Sequence, residues 1–303
     1  MKILLPVDGS EYSTLAAEFI ASRTSLLGRK PEIEILNAQF LNGSVVTGAL
    51  LSEVWGEKSL EELYRVRAEK AFAAVRTPLQ KKAIPFREMI VRKAPAEAVL
   101  EETAAWKPDL IVMGTQGKTN AEKLFLGSVS TAVLAGTSVP VLLVRDTPAP
   151  KKDDLKVGIA VDGSPYGEIA VRYLERYREL LGANPEIHVL NVVEDAINTM
   201  IAASSDCDMA IVTEEEARKL EQKAFEENTR PVVESLKDKG FENVTPVKLV
   251  GSAGDRISSY ANREGLDLIV MGSRGYTNFR AAILGSVTTR VAAETAAPVL
   301  IIR

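Results

Sequence analysis

One pattern occurs twice in this chain: an apolar, strand-like run, then Gly-x-x-Gly, nine residues, and Gly-Ser at the head of a helical stretch. The first copy runs from Met113-Gly-Thr-Gln-Gly-Lys-Thr-Asn to Phe125-Leu-Gly-Ser-Val129, the second from Met271-Gly-Ser-Arg-Gly-Tyr-Thr-Asn to Ile283-Leu-Gly-Ser-Val287. A tight strand-to-helix turn needs one glycine for its dihedrals, so two copies of the whole spacing ask for a reason beyond turn geometry. Glycines let backbone N–H groups approach an anion with no Cβ in the way, and a helix start adds unpaired N–H groups and a favourable dipole end. Gly114, Gly117, Gly127 and Ser128, and likewise Gly272, Gly275, Gly285 and Ser286, therefore read as two phosphate sites, each serine hydroxyl adding a donor.

The duplication extends along the whole chain. Asp8 and Asp162 are 154 residues apart, as are Asn37 and Asn191, each in a Leu-Asn pair. Residues 2 to 7 and Leu155 to Val161 read as buried strands followed by Asp-Gly-Ser turns. Ser10 then caps a helix running to about Leu27 and closed by Gly28. Ser164-Pro165 is expected to be the N-cap and first residue of a helix ending near Leu181 and Gly182. Strands Ile33 to Ala38 and Ile187 to Val192 come next. Beyond them the halves diverge in the loops Phe40 to Trp55 and Glu194 to Val212, where specificity could differ.

Two long charged amphipathic helices follow, and Pro78 and Pro231 are expected to kink or break them at the same turn. Further strands are expected at Phe86 to Val91 and Thr245 to Val250, helices at Ala96 to Trp106 and Gly254 to Glu264, and then Asp-Leu-Ile-Val-Met strands from Asp109 and Asp267. Helices from Gly127 and Gly285 lead to closing strands Val139 to Arg145 and Ala297 to Arg303, and the polar, proline-bearing stretch 146–154 reads as a linker.

Continuous apolar strands alternating with helices mean parallel sheets covered on both faces. The expected fold is α/β: two tandem doubly wound domains, residues 1–146 and 154–303, each a five-stranded parallel sheet of order 3-2-1-4-5. Ligands in such sheets sit beyond the carboxyl ends of the strands where the order reverses, which places Asp8 beside Gly114 and Asp162 beside Gly272.

Composition narrows the function. A net charge of −4 over 303 residues gives no electrostatic footprint for nucleic acid or an anionic membrane surface. The apolar opening run is cut by Asp8 and no later run approaches ~20 apolar residues, so the sequence suggests neither a signal peptide nor a spanning helix, and a soluble, cytoplasmic protein. Cys207 is the only cysteine, which excludes an internal disulfide framework. His188, the single histidine, stands where the first half has Glu34 and reads as a strand side chain. No Ser-His-Asp set can be assembled twice, and no His, Cys or carboxylate spacing suggests a protein-held metal.

These residues resemble the universal stress proteins, specifically the adenine-nucleotide-binding branch in its tandem two-domain form. The resemblance implies that the glycine motif cradles ATP phosphates, that Asp8 and Asp162 line the nucleoside end, and that Ala38 and Val192 meet adenine through backbone groups. It also places Met113, Val129, Met271 and Val287 beside the nucleotide. The branch without nucleotide lacks the glycine motif.

One departure is the segment after strand three, where the family carries Gly-x-Pro; here it is Lys93-Ala-Pro95 in one half and Gly251-Ser-Ala253 in the other. Lys93 is open to two readings, a phosphate contact or a solvated loop charge, of which the solvated charge is favoured. The implied ligand is ATP, with ADP or AMP equally compatible, and any Mg²⁺ would be held mainly by the phosphates and water. The implied role is a stress-response regulatory module in which nucleotide occupancy alters an interaction surface; the rival is a slow ATPase or phosphotransfer enzyme. No general base beside the motif, no Walker A signature and no paired Rossmann signature support catalysis. The resemblance further implies an internal pseudodimer joined through the two closing strands, and the sequence leaves pairing of chains into a homodimer open.

Overall fold

The computed structural model describes residues 1–24, 26–27, 30–39, 57–115, 126–145, 147–195, 213–273 and 284–303, with only the backbone described at 57–60. Gly28, Gly117, Gly275, Cys207, the loop 40–55 and residues 196–212 of the second loop lie outside the described residues. The chain divides into two compact units between Lys151 and Lys152.

In the first unit the chain runs β1 (Lys2–Pro6), α1 (Glu11–Thr24), β2 (Glu32–Ala38), α2 (Glu57–Lys81), β3 (Phe86–Val91), α3 (Pro95–Trp106), β4 (Leu110–Gly114), α4 (Ser128–Gly136) and β5 (Val141–Val144). All its strand pairings are parallel, in the order β3-β2-β1-β4-β5. Ile3 is level with Ile33 on one side and with Leu110 on the other, so strand one is central and its end lies between those of β2 and β4. Helix α1 packs with α2 and α3 with α4, giving one helical layer on each face. Burial on both faces is why β1, β2, β4 and β5 are continuous apolar runs: Leu4, Ile35, Ile111 and Val144 are all fully enclosed.

The second unit repeats this plan with β6 (Lys156–Ala160), α5 (Tyr166–Arg176), a 3₁₀ turn (Arg178–Leu181), β7 (Glu186–Val193), α6 (Glu214–Asp238), β8 (Asn243–Val250), α7 (Ala253–Glu264), β9 (Leu268–Gly272), α8 (Ser286–Glu294) and β10 (Val299–Ile302). Its order is β8-β7-β6-β9-β10, again all parallel.

Two local expectations change and one is narrowed. Of the kink or break expected at Pro78 and Pro231, the break does not occur: α2 and α6 each run 25 residues through their proline. Val75 and Leu79 flank Pro78, and Thr229 and Val232 flank Pro231; all four are buried, and that burial holds the helix together across the missing hydrogen bond. Helix α1 stops at Thr24 rather than Leu27, the chain tightening into Leu26 N to Arg23 O and Leu27 N to Thr24 O bonds. Helix α5 likewise ends at Arg176 and continues as the 3₁₀ turn before Gly182, whose φ of 99° is the left-handed closure expected there.

Candidate functional site

At the carboxyl end of β1 the chain must turn out of the sheet, and local side-chain hydrogen bonds hold it there. The Asn37 side-chain amide donates to the Val7 carbonyl at 2.7 Å, satisfying a buried acceptor that the ladder no longer reaches. Asp8 Oδ1 then accepts from the Ser10 N–H at 2.9 Å and from the Ser13 hydroxyl at 2.8 Å, while Gly9 takes φ 79°. Ser10 Oγ accepts from the Ser13 N–H at 3.3 Å, so Ser10 is the N-cap expected of it. Burial pushes the Asp8 carboxyl up, but the bonds from Ser10 and Ser13 outweigh it and hold the group below its ordinary value. Asp8 is therefore a preoriented anion at neutral pH.

The second unit keeps most of this arrangement. Asn191 donates to the Val161 carbonyl at 2.8 Å, Asp162 Oδ1 accepts from the Ser164 N–H at 3.0 Å, and Gly163 repeats the φ of 79°. The helix start differs from expectation. Regular helix begins at Tyr166 with Pro165 already in helical dihedrals, and no side chain caps it, so Ser164 serves in the turn rather than as a capping side chain. Gly167 stands where the first unit has Ser13, so Asp162 has no counterpart of the Ser13 hydroxyl bond.

The glycine motifs fall where strand and helix ends meet. Strand β4 ends at Gly114, and α4 begins at Ser128 with Gly127 as N-cap, φ −57° and ψ 149° and no side-chain cap bond. Strand β9 ends at Gly272, and α8 begins at Ser286 with Gly285 as N-cap at φ −64° and ψ 148°, again without a side-chain cap. Helix α6 is the contrast: Thr213 accepts from the Glu216 N–H and the Glu216 carboxylate reaches back, closing its first turn with the chain's own groups. The first-turn N–H groups of α4 and α8 are thus left for an external acceptor, the arrangement that binds anions at helix starts. Thr288 fixes α8 against its strand by donating to the Gly272 carbonyl at 2.9 Å.

In the first unit these pieces enclose a cavity of about 210 Å³. Seven residues singled out in the sequence line it together: Asp8, Ala38, Met113, Gly114, Gly127, Ser128 and Val129. Ser13, Pro95, Val99 and Ser130 also line it and were missed. Pro95 was legible, since it is the proline of the family pattern, whereas Ser13 is visible only as a hydroxyl five residues beyond Asp8. In the second unit Asp162 follows β6, Val192 lies one residue before the end of β7, Met271 and Gly272 end β9, and Gly285, Ser286 and Val287 open α8. They occupy the same strand and helix ends as their counterparts. Gly117 and Gly275 fall outside the described residues.

Two other candidates are structural. The Lys93 ammonium forms a surface ion pair with Glu101. His188 is a buried strand side chain, its Nε2 2.7 Å from Glu186 Oε1 and its Nδ1 2.7 Å from the Tyr260 hydroxyl. Among the described residues no group of three His, Cys, Asp or Glu side chains could hold a metal ion. No described helix is long and apolar enough to cross a membrane.

Comparison with known proteins matches the universal stress protein family model twice, over residues 1–145 and again over 155–303. The chain belongs to the universal stress protein family. A curated universal stress protein of Synechocystis is 24% identical over 315 residues, covering 99% of each chain, so the tandem form is shared with it. Single-domain-length relatives match one half at a time. A universal stress protein of Thermus aquaticus is 34% identical over 144 residues, 47% of this chain and 97% of its own. Among solved structures, a universal stress protein of Archaeoglobus fulgidus superposes with a TM-score of 0.65 at 23% identity, covering 100% of this chain and 96% of that one, which supports the shared fold. Another solved universal stress protein is in complex with cAMP, at 25% identity over 48% of this chain and 98% of its own, with a TM-score of 0.32.

Proposed function

We propose that this universal stress protein binds one adenine nucleotide in each of two domains, residues 1–146 and 154–303, and acts in the cytoplasm as a stress-response regulator rather than as an enzyme. The observation that carries this reading is the first-unit cavity, in which the oriented Asp8 carboxylate and the open first turn of α4 face one space of about 210 Å³. Asp8 suits a ribose or base donor at one end. The Gly127, Ser128 and Val129 backbone suits phosphate oxygens at the other, with Ala38 offering backbone groups to the adenine edge.

ATP is the ligand of choice, with ADP and AMP using the same groups, and Mg²⁺ would be carried by the phosphates. Occupancy would change the surface that each domain presents to a partner. The two closing strands are proposed to pair within the chain as an internal pseudodimer. Mass spectrometry of small molecules released from the purified, denatured protein tests the ligand. An adenine nucleotide is expected, and reproducible release of a different ligand class would overturn the reading. Steady phosphate release from ATP at about 1 per second or faster, the range of ordinary enzymes, would overturn the non-enzymatic part.

A further inference from the structure

Two residues that line the first-unit cavity without having been singled out in the sequence, Ser13 and Ser130, carry hydroxyls. Both are 3% exposed. The Ser13 hydroxyl is spent on Asp8, donating to its carboxylate at 2.8 Å and accepting from its N–H at 3.2 Å. Ser130 is different: among the described residues its hydroxyl makes no hydrogen bond. A buried hydroxyl that has lost its water needs another partner, and on the wall of a cavity that partner is a ligand.

The second unit spends the same position otherwise. Gly127 matches Gly285 as the N-cap, so Ser130 matches Thr288. Thr288 is equally buried, but its hydroxyl donates to the Gly272 carbonyl at 2.9 Å and ties α8 to the end of β9. One position therefore closes the fold in the second unit and leaves its hydroxyl unspent beside the cavity in the first.

The place of Ser130 on its helix sets the chemistry of that ligand. Ser130 is the third residue of α4, and the Thr131 N–H is the first to bond back, to the Gly127 carbonyl at 2.9 Å. The Ser130 N–H is thus among those the helix start leaves open. Ser128 is exposed at the rim, whereas Ser130 lies deeper. An N–H and a hydroxyl on one residue, at the positive end of a helix and away from solvent, suit an anionic oxygen.

We propose that Ser130 binds the sugar-linked phosphate of the nucleotide in the first site, a contact that the second site lacks. This rests on the nucleotide reading above. Ser128 is then left for the outer phosphates and Asp8 for the nucleoside.

The test uses the full chain with one site blocked at a time. Gly127→Asp and Gly285→Asp place a carboxylate over the open N–H groups of α4 and α8, a substitution the N-cap dihedrals accept, so each variant reports the other site. Calorimetric titration of Gly285→Asp with AMP and with adenosine reads the first site, and the difference between the two isolates one phosphate. Adding Ser130→Ala should weaken AMP about tenfold or more, the scale of a hydrogen bond to a charged group, and leave adenosine unchanged. Its melting temperature without ligand should hold or rise, since the fold loses no bond. In Gly127→Asp, which reads the second site, Thr288→Val should do the reverse, lowering the melting temperature and keeping the AMP-over-adenosine ratio. Ser130→Ala weakening AMP and adenosine alike, or neither, would overturn the inference while leaving the nucleotide sites standing. A ratio that falls as far with Thr288→Val would do the same, by showing the contact in both sites. No binding of either compound by the unsubstituted chain would instead remove the underlying reading, and this inference with it.

Discussion

Gly114 lies beneath the backbone of Tyr12: a Cβ built on the glycine would stand 2.5 Å from the Tyr12 carbonyl carbon and 2.6 Å from its carbonyl oxygen. The first glycine of the motif is therefore needed for α1 to cross β4, whatever binds beyond it. Gly114→Ala should lower stability by about 1–3 kcal/mol, because the obstructing atoms are backbone and cannot swing away. Urea denaturation should show the midpoint fall without ligand. Gly127→Asp should leave it unchanged or raised, since Asp is a good N-cap. An unshifted midpoint in Gly114→Ala would mean the helix can yield at Tyr12.

Asn37 and Asn191 carry the same bond in both units, to Val7 and Val161. Replacing Asn37 by Leu keeps the volume but leaves the Val7 carbonyl without its partner at the exit of β1, which should cost about 1–3 kcal/mol. The Asp8 turn loosens with it, so nucleotide affinity of the first site should fall as well. Stability measured by denaturation and affinity by titration should drop together; a drop in neither would show that water replaces the amide.

The sequence made the architecture legible because buried parallel strands are apolar throughout and because the duplication lets each half check the other. Asp8, Gly127 and Ala38, which the structure brings to one cavity, were legible as a group for the same reason. The bond from Asn37 to Val7 was not, although Leu-Asn repeats, since a side chain satisfying a carbonyl 30 residues away leaves no periodic signal. Gly114 was assigned wholly to ligand approach, because Tyr12 reaches it only through the packing of α1 on β4. A kink or a break was expected at Pro78 and Pro231 from local chemistry; the helices run on through both prolines, with Leu79 and Leu236 buried beyond them.

Glu34 gives the first unit a buried carboxyl where the second has His188. Burial, and then the neighbouring Glu102 carboxylate, raise its carboxyl above the ordinary 4.5, with the Arg87 ion pair only partly offsetting them. A raised folded value means the native state holds the proton longer than the unfolded chain. The contribution is full below pH 4.5 and is lost as pH rises through the folded value. Glu34→Gln should therefore flatten the fall in stability from pH 4.5 upward, as followed by thermal melting across that range. A parallel pair of pH profiles for the two proteins would contradict the assignment.

Closing strands Val141–Val144 and Val299–Ile302 are buried, apolar and short of charge, and exposed edges of that kind associate. If they are partners within the chain, residues 1–146 and 154–303 made separately and mixed should form a one-to-one complex by analytical ultracentrifugation. Halves that stay folded, soluble and separate would show that these strands do not pair.

The central claim is two nucleotide sites per chain, each built at an open helix start. Calorimetric titration with ATP should give a stoichiometry of two for the unsubstituted protein, one for Gly127→Asp, one for Gly285→Asp and none for the double variant, all four with native melting behaviour. Two sites persisting in the double variant, or none in the unsubstituted protein, would contradict it.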